Sequence, residues 1–372
     1  MRFSMRKKLL FISMILLGTV LLSACAGGAV RGTSWAGLTA TEDVAYLADG
    51  AFVYAVNLSD GQELWHYPEK ADSKKVFYAP PLITSDGLVI VGSAGNNHSL
   101  VAINPADINP ETNVPIEAWT FTEAKDHWVA SPLIVGEKLF APNADGNLYV
   151  LDLADGQSSK QALKVIELEG RLWAQPVTDG KRVFVTSLDH SIFAIDVETY
   201  NVVWHQDIGG AIPGSPVIGS DGMLYVGSLA AQLERFDPAT GEHQSVLNTQ
   251  NWVWSTPVAD GDTLYFGDLD GNFYSFNTTT GGLNWNAVKP DGPITASAIL
   301  QNDHILLATE SGNIYAIGKD GKTLWFETVG GKIYTTPAAV GDLILVAPLE
   351  TDFYLTALDS NGRQVWTFAP QK

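Results

Sequence analysis

The stretch that decides the fold runs from Ser255 to Trp285 and reads STPVADGDTLYFGDLDGNFYSFNTTTGGLNW. Its apolar runs predict four short β-strands, at Thr256–Val258, Thr263–Gly267, Phe273–Phe276 and Leu283–Trp285. Asp270-Gly271 supplies a tight hairpin turn, because glycine adopts positive φ without a steric cost. A unit of this size cannot bury its apolar faces alone, so it must stack on copies of itself.

Copies of the unit recur along the chain with a period of about 40 residues. Most begin with a small residue and a proline, at Pro81, Pro132, Pro176, Pro216, Pro257 and Pro337, with Ala298 in the same register. Several end with a turn glycine and, four residues later, a tryptophan: Gly61 and Trp65, Gly281 and Trp285, Gly321 and Trp325, Gly362 and Trp366. Tyr200 replaces the glycine before Trp204, and Trp119 closes a unit with an insertion at Asn104–Ala118, which we expect to be an exposed loop. Eight units follow, at about 35–65, 79–119, 130–168, 174–204, 214–247, 255–285, 296–325 and 335–366.

Four strands in a repeat of this length are typical of a propeller blade. We therefore predict an all-β fold, an eight-bladed β-propeller over residues 35–372 with four antiparallel strands per blade, and no helix after residue 24. Large indoles on the outermost strands can fill the wedge that opens between neighbouring blades. The residues assigned to this structural role are Trp65, Trp119, Trp204, Trp285, Trp325 and Trp366.

The repeats resemble those of PQQ-type β-propellers, whose consensus is Ala-x-Asp-x-x-Thr-Gly-x-x-x-Trp. The best matches are Ala194-Ile-Asp196, Phe236-Asp237-Pro-Ala-Thr-Gly241 and the Gly-x-x-x-Trp endings. In such a turn the Asp carboxylate accepts hydrogen bonds from backbone N–H groups that follow it. The resemblance implies the fold, but one fold serves many functions.

The N-terminus predicts export. Residues 1–24 have a basic start and an apolar run, Leu9–Leu22, of the length found in secretory signal peptides. Leu22-Ser-Ala-Cys25 resembles the lipobox of bacterial lipoproteins, which implies that Cys25 is acylated and becomes the first residue, followed by a tether at 25–34. We expect an extracytoplasmic protein held by lipid at the cell membrane or the outer membrane. An ordinary signal peptide with an incidental thiol is the alternative interpretation.

The charge is strongly acidic, with 41 Asp and Glu against 22 Lys and Arg, a net charge of −19. Residues 1–24 hold four of the bases and no acid, so the remainder carries −23. Such a surface repels nucleic acid and anionic headgroups. The negative charge either serves to bind a basic protein partner or is simply that of a soluble acidic surface.

The spacing of residues along the sequence matches no catalytic or metal-binding motif. The seven histidines form no H-x-x-x-H pair, and His66 and His205 both follow blade tryptophans, so we predict no metal site. Asp268-Leu-Asp270-Gly-Asn272 differs from a calcium loop because Thr279 stands where the bidentate acid belongs, so a hairpin turn is predicted. No cysteine follows Cys25, so the vicinal disulfide typical of quinoprotein dehydrogenases cannot form. We predict a non-enzyme without a cofactor.

An aromatic residue precedes the innermost strand in six units, at Trp35, Tyr78, Trp128, Trp173, Trp254 and Tyr334. Equivalent positions in stacked blades form a ring, here expected at one mouth of the central channel. These side chains either bind a peptide or glycan or pack blade against blade.

The chain resembles BamB-type lipoproteins, the scaffold lipoproteins of outer-membrane β-barrel assembly, in its lipobox, its length and the number of its repeats. The resemblance implies protein partners among the assembly components and membrane lipid around Cys25. A carbohydrate- or cell-wall-binding lipoprotein and a degenerate PQQ-dependent dehydrogenase are the alternative hypotheses.

Overall fold

The computed structural model describes residues 35–370, all of them in strands, turns and loops. The predicted signal peptide at 1–24 and the predicted tether at 25–34, with Cys25, lie outside the described residues. Within residues 35–370, no helix is apolar and long enough to span a bilayer.

Within residues 35–370, thirty-two strands form eight four-stranded sheets, numbered here as blades in chain order. The first four blades contain β1 Gly37–Ala40, β2 Val44–Asp49, β3 Phe52–Asn57, β4 Glu63–Tyr67; β5 Leu82–Ile83, β6 Val89–Gly92, β7 Leu100–Asn109, β8 Val114–Phe121; β9 Leu133–Val135, β10 Lys138–Pro142, β11 Asn147–Asp152, β12 Ala162–Glu167; β13 Val177–Thr178, β14 Arg182–Thr186, β15 Ser191–Asp196 and β16 Val202–Asp207. The last four contain β17 Val217–Ile218, β18 Leu224–Ser228, β19 Gln232–Phe236, β20 His243–Asn248; β21 Val258–Asp260, β22 Thr263–Gly267, β23 Phe273–Asn277, β24 Gly282–Leu283; β25 Ile299–Gln301, β26 His304–Ala308, β27 Asn313–Gly318, β28 Thr323–Thr328; β29 Ala338–Val340, β30 Leu343–Val346, β31 Leu355–Leu358 and β32 Gln364–Phe368. The predicted eight-bladed propeller is confirmed.

Each blade takes its four strands from one repeat, in chain order and antiparallel throughout. No described strand is exchanged between the first and last blades. The ring closes through side chains instead, for example where Thr335 Oγ1 donates to the Ala36 carbonyl at 2.7 Å.

The core lies between the blades. Eight clusters of buried apolar side chains each join two neighbouring sheets. One of them packs Leu47 and Val56 of the first blade against Leu345 and Leu355 of the eighth. Because each blade is covered only by its neighbours, the ring is the smallest unit that buries every blade.

Three predicted segments differ in the structure. The first strand of the sixth blade is Val258–Asp260 and not Thr256–Val258, because Thr256 belongs to the link between blades and its hydroxyl group faces the neighbouring blade. In the sixth blade the outer strand is only Gly282–Leu283, so Trp285 lies just beyond it. The insertion at Asn104–Ala118 is not a loop, since β7 and β8 extend through it as one long hairpin in which Asn109 pairs with Val114. The strands tolerate its prolines because Pro105 falls within an irregularity of the pairing, Pro110 lies in the turn, and Pro115 lies on β8, which is the edge strand of its sheet.

Antiparallel order fixes two faces of the ring. Links between blades and hairpins between second and third strands lie on one face, here called the mouth face. Turns between third and fourth strands lie on the opposite face. The described chain begins at Trp35 on the mouth face.

Candidate functional site

Tryptophans of the outer strands dock onto the next blade. An ideal Cβ on Gly61 would lie 2.7 Å from Cε3 of Trp366, so the indole covers the turn at van der Waals contact. The same contact joins Trp204 to Gly241, Trp285 to Gly321 and Trp325 to Gly362. Indole Nε1 groups add hydrogen bonds, from Trp366 to Leu58 O at 2.9 Å and from Trp204 to Pro238 O at 3.0 Å.

The two remaining predicted tryptophans pack in the same seams but against other partners. Trp65 is 4% exposed and lies among side chains of the first and second blades. Trp119 is covered by the third blade, where the buried Lys160 ammonium lies 5.9 Å from its ring. That ammonium contacts the Asp155 carboxylate and donates to the Asp152 carbonyl at 2.8 Å.

Hydroxyl groups link the inner strands around the channel. Ser215 N donates to Thr256 Oγ1 at 2.9 Å, and Thr256 N donates to Ser297 Oγ at 2.9 Å. Ser297 N continues the series to Thr336 Oγ1 at 3.1 Å. These hydroxyl residues directly precede the residue that opens each repeat, which explains why a small polar residue stands there.

A cavity of about 1170 Å³ occupies the channel and is lined by residues from all eight blades. Four of the predicted aromatics line it: Trp35, Trp173, Trp254 and Tyr334. Trp35 and Trp173 belong to the first and fourth blades, yet their ring centroids are 6.2 Å apart with planes at 60°. This edge-to-face pair therefore narrows the channel from two blades that are three positions apart in the ring.

Polar groups in the cavity are left without protein partners. Trp173 Nε1 and Ser255 Oγ are both buried and have no hydrogen-bond partner among residues 35–370. Glu310 also lines the cavity, and burial raises the pKa of its carboxyl group. Aromatic walls with a few unpaired donors and an acid are typical of a site for a polar organic ligand.

The other two predicted aromatics do not line the cavity. Trp128 is 1% exposed and packs between the second and third blades, where an added Cβ on Gly92 would overlap it. It stands one position earlier in its repeat than the other aromatics, at the position of buried Phe77, and Val129 takes the channel position instead. Tyr78 is half-buried, and Pro80 lines the cavity in its blade.

Sequence reasoning missed two features of the mouth face. Trp252 is 50% exposed and lies next to fully buried Val253. His98, Asp126 and His127 converge so that one ligand atom from each lies within 4.8 Å of the others. Histidine spacing could not reveal this group, because His98 is in the β6–β7 hairpin and the other two are in the β8–β9 link.

The acidic turns are held by their own backbone. Asp268 is fully buried, and its Oδ1 accepts from the N–H groups of Asp270 and Asn272 at 3.0 and 2.9 Å, so a hairpin turn is confirmed. Asp237 Oδ1 accepts from Ala239 N at 2.7 Å and Thr240 N at 3.0 Å. These N–H groups hold the pKa of the Asp237 carboxyl group below its ordinary value.

Fold and repeat together define an eight-bladed β-propeller of PQQ-like repeats. The sequence model of the family described as "Outer membrane protein assembly factor BamB" matches residues 18–244, 202–301 and 289–372. The chain belongs to this family.

Relatives named "Outer membrane protein assembly factor BamB" are distant in sequence. The protein of Burkholderia pseudomallei (strain K96243) is 29% identical over 147 residues, which are 34% of this chain and 35% of that protein. That of Yersinia pestis is 21% identical over 292 residues, 75% of this chain and 70% of its own length.

Two crystal structures share the fold. BamB from Moraxella catarrhalis superimposes with a TM-score of 0.67 at 20% identity, covering 92% of this chain and 97% of that one. The computationally designed Ika8 protein gives 0.69 at 12% identity, covering 91% and 98%.

Proposed function

We propose that this protein is a non-enzymatic scaffold in outer-membrane β-barrel assembly, anchored to a membrane through acylated Cys25. The observation that carries the proposal is the family match, which spans residues 18–372 and includes the whole described ring. The relatives of known name are assembly factors.

The blade edges supply surfaces for protein partners. Outer strands present apolar side chains to solvent, among them Leu324 at 57%, Phe326 at 60%, Val203 at 50% and Val365 at 52% exposure. Edge strands also leave backbone groups available for pairing.

The test is capture of partners from detergent-solubilised membranes with the full-length, lipidated protein. Co-purification of outer-membrane barrel-assembly components is expected. Cys25→Ser is the matched control: it should lose labelling by radioactive fatty acid and leave the membrane fraction, yet bind the same components in solution. Absence of those components from the wild-type capture would refute the scaffold, whereas unchanged fatty-acid labelling of the variant would refute only the anchor.

Glycan binding in the channel is the second candidate, favoured by the unpartnered Trp173 Nε1 and Ser255 Oγ. Indole faces and polar donors together suit sugar rings. A glycan array should show binding that Trp173→Ala with Trp254→Ala removes. Trp252→Ala changes an exposed indole outside the cavity and should leave binding intact.

A further inference from the structure

The cluster of His98, Asp126 and His127 on the mouth face has the composition of a transition-metal site. Two imidazoles and one carboxylate are common ligands of Zn²⁺. Ligand atoms of the three residues approach within 4.8 Å of one another. Small side-chain rotations can bring these ligand atoms to the mutual separations found around a tetrahedral Zn²⁺ ion, whose bonds are about 2.0–2.2 Å long.

The backbones that present these side chains are fixed by buried groups. Trp128 Nε1 donates to the His98 carbonyl at 2.8 Å, and the fully buried Asn143 donates through Nδ2 to the Asp126 carbonyl at 3.0 Å. Ala144 N donates to the His127 carbonyl at 3.1 Å. The three residues therefore keep their relative positions, as preorganised metal ligands require.

The side chains are accessible from solvent. The exposed fraction of the side chain is 47% for His127 and 28% for Asp126. The imidazole rings of His98 and His127 have centroids 5.5 Å apart with planes tilted by 59°. Asp126 contacts Nδ1 of His127 and so orients that ring. His98 is held at a φ of 47°, a conformation that few non-glycine residues adopt.

We propose that His98, Asp126 and His127 bind one Zn²⁺ ion, with the remaining coordination positions open to water. The ion would connect a hairpin inside the second blade to the link that enters the third blade. Binding would therefore stabilise this seam of the ring, because an ion bound only by the folded state raises its stability.

The test is zinc binding to tag-free, full-length protein, measured by calorimetry and by elemental analysis after dialysis. Millimolar Mg²⁺ and Ca²⁺ are included to occupy surface carboxylates, which prefer hard cations. One zinc per chain and a rise in Tm are expected. His98→Asn, which tolerates the positive φ, and His127→Gln should each weaken binding at least about 100-fold and abolish the rise in Tm.

The matched control is His190→Asn, because His190 also has a positive φ, 66°, but does not belong to the cluster. It should bind zinc as the wild type does. Trp128→Phe removes the donor to His98 together with part of the buried indole, and it should weaken zinc binding about tenfold while the variant remains folded, with a modest loss of stability. Less than one zinc per chain at saturation, binding that survives both His98→Asn and His127→Gln, or equal loss in His190→Asn would overturn the site.

Discussion

Trp366 on the last strand of the ring covers Gly61 in the first blade, and its Nε1 bonds to Leu58 O at 2.9 Å. The two residues are at opposite ends of the described sequence, so this contact closes the propeller. Trp204 makes the same contact with Gly241 inside the ring. Closure therefore uses the ordinary seam between blades and needs no exchanged strand.

Gly61→Ala should destabilise the ring at its closing seam. The added Cβ would lie 2.7 Å from Trp366, and the backbone has a φ of 71°. Overpacking and the left-handed backbone together should lower the free energy of unfolding by about 2–5 kcal/mol in urea titration.

Gly281→Ala is the control that measures the cost of the left-handed backbone alone, without overpacking. Its φ is 70°, but nothing lies within 4 Å of the added Cβ, because the fifth blade has no tryptophan on its outer strand. We expect a loss of only about 1–2 kcal/mol. Equal losses in the two variants would mean that Trp366 does not close against Gly61.

Thr256→Val should break the hydroxyl series around the channel. The change keeps the shape but leaves Ser215 N without its acceptor at 2.9 Å. Because Ser215 is only half-buried, the unpaired N–H should cost at most about 1–3 kcal/mol, to be measured as a lower urea midpoint. Thr256→Ser keeps the hydroxyl and should stay within about 0.5 kcal/mol of the wild type. If Thr256→Val is as stable as Thr256→Ser, the hydroxyl series contributes nothing to the stability of the ring.

The ring could be predicted from sequence because its seams repeat. Neighbouring blades dock through a recurring contact between an indole and a turn glycine, as Trp285 does on Gly321. The residues of this contact recur at similar spacing along the sequence, so counting the repeats gives the number of blades. Where the preceding blade has no tryptophan on its outer strand, the turn does not require glycine. Tyr200 replaces it in the fourth blade, and the centroid of its ring lies 6.1 Å from that of Phe140.

The candidate sites could be predicted only in part. Trp173 and Trp254 line the channel, but Trp128 stands one position earlier in its repeat and enters the seam. One residue of shift reverses the direction of a side chain in extended backbone, and the aromatic pattern alone does not reveal the shift. The His98 and His127 pair depends on how two mouth-face segments fold together, which spacing does not encode.

Glu234→Gln should change how stability depends on pH. Glu234 is 4% exposed in β19, and burial raises the pKa of its carboxyl group above the ordinary 4.5, against the opposing effect of His243. Between the two pKa values the folded state holds a proton that the unfolded state has released, so the wild type loses stability as pH rises through this range. The glutamine variant lacks this loss.

The measurement is urea unfolding of both proteins from pH 4 to pH 8. The free energy of unfolding of the wild type minus that of the variant should fall as pH rises above about 4.5 and then level off. A difference that increases with pH would show that His243 at 3.4 Å, and not burial, controls this carboxyl group.

Trp173→Ala combined with Trp254→Ala should leave the ring folded. Both side chains are half-buried and face the cavity, and Trp173 Nε1 has no partner among residues 35–370 to lose. We expect the double variant to lose no more than about 2 kcal/mol of stability. Trp128→Ala empties a buried seam and breaks the bond to His98 O, so it should cost about 3–5 kcal/mol. Thermal unfolding compares the two directly: a larger drop in Tm for the double variant would mean that the channel indoles hold the blades together. If, in addition, no ligand lost affinity for the double variant, the binding role suggested for these indoles would fail.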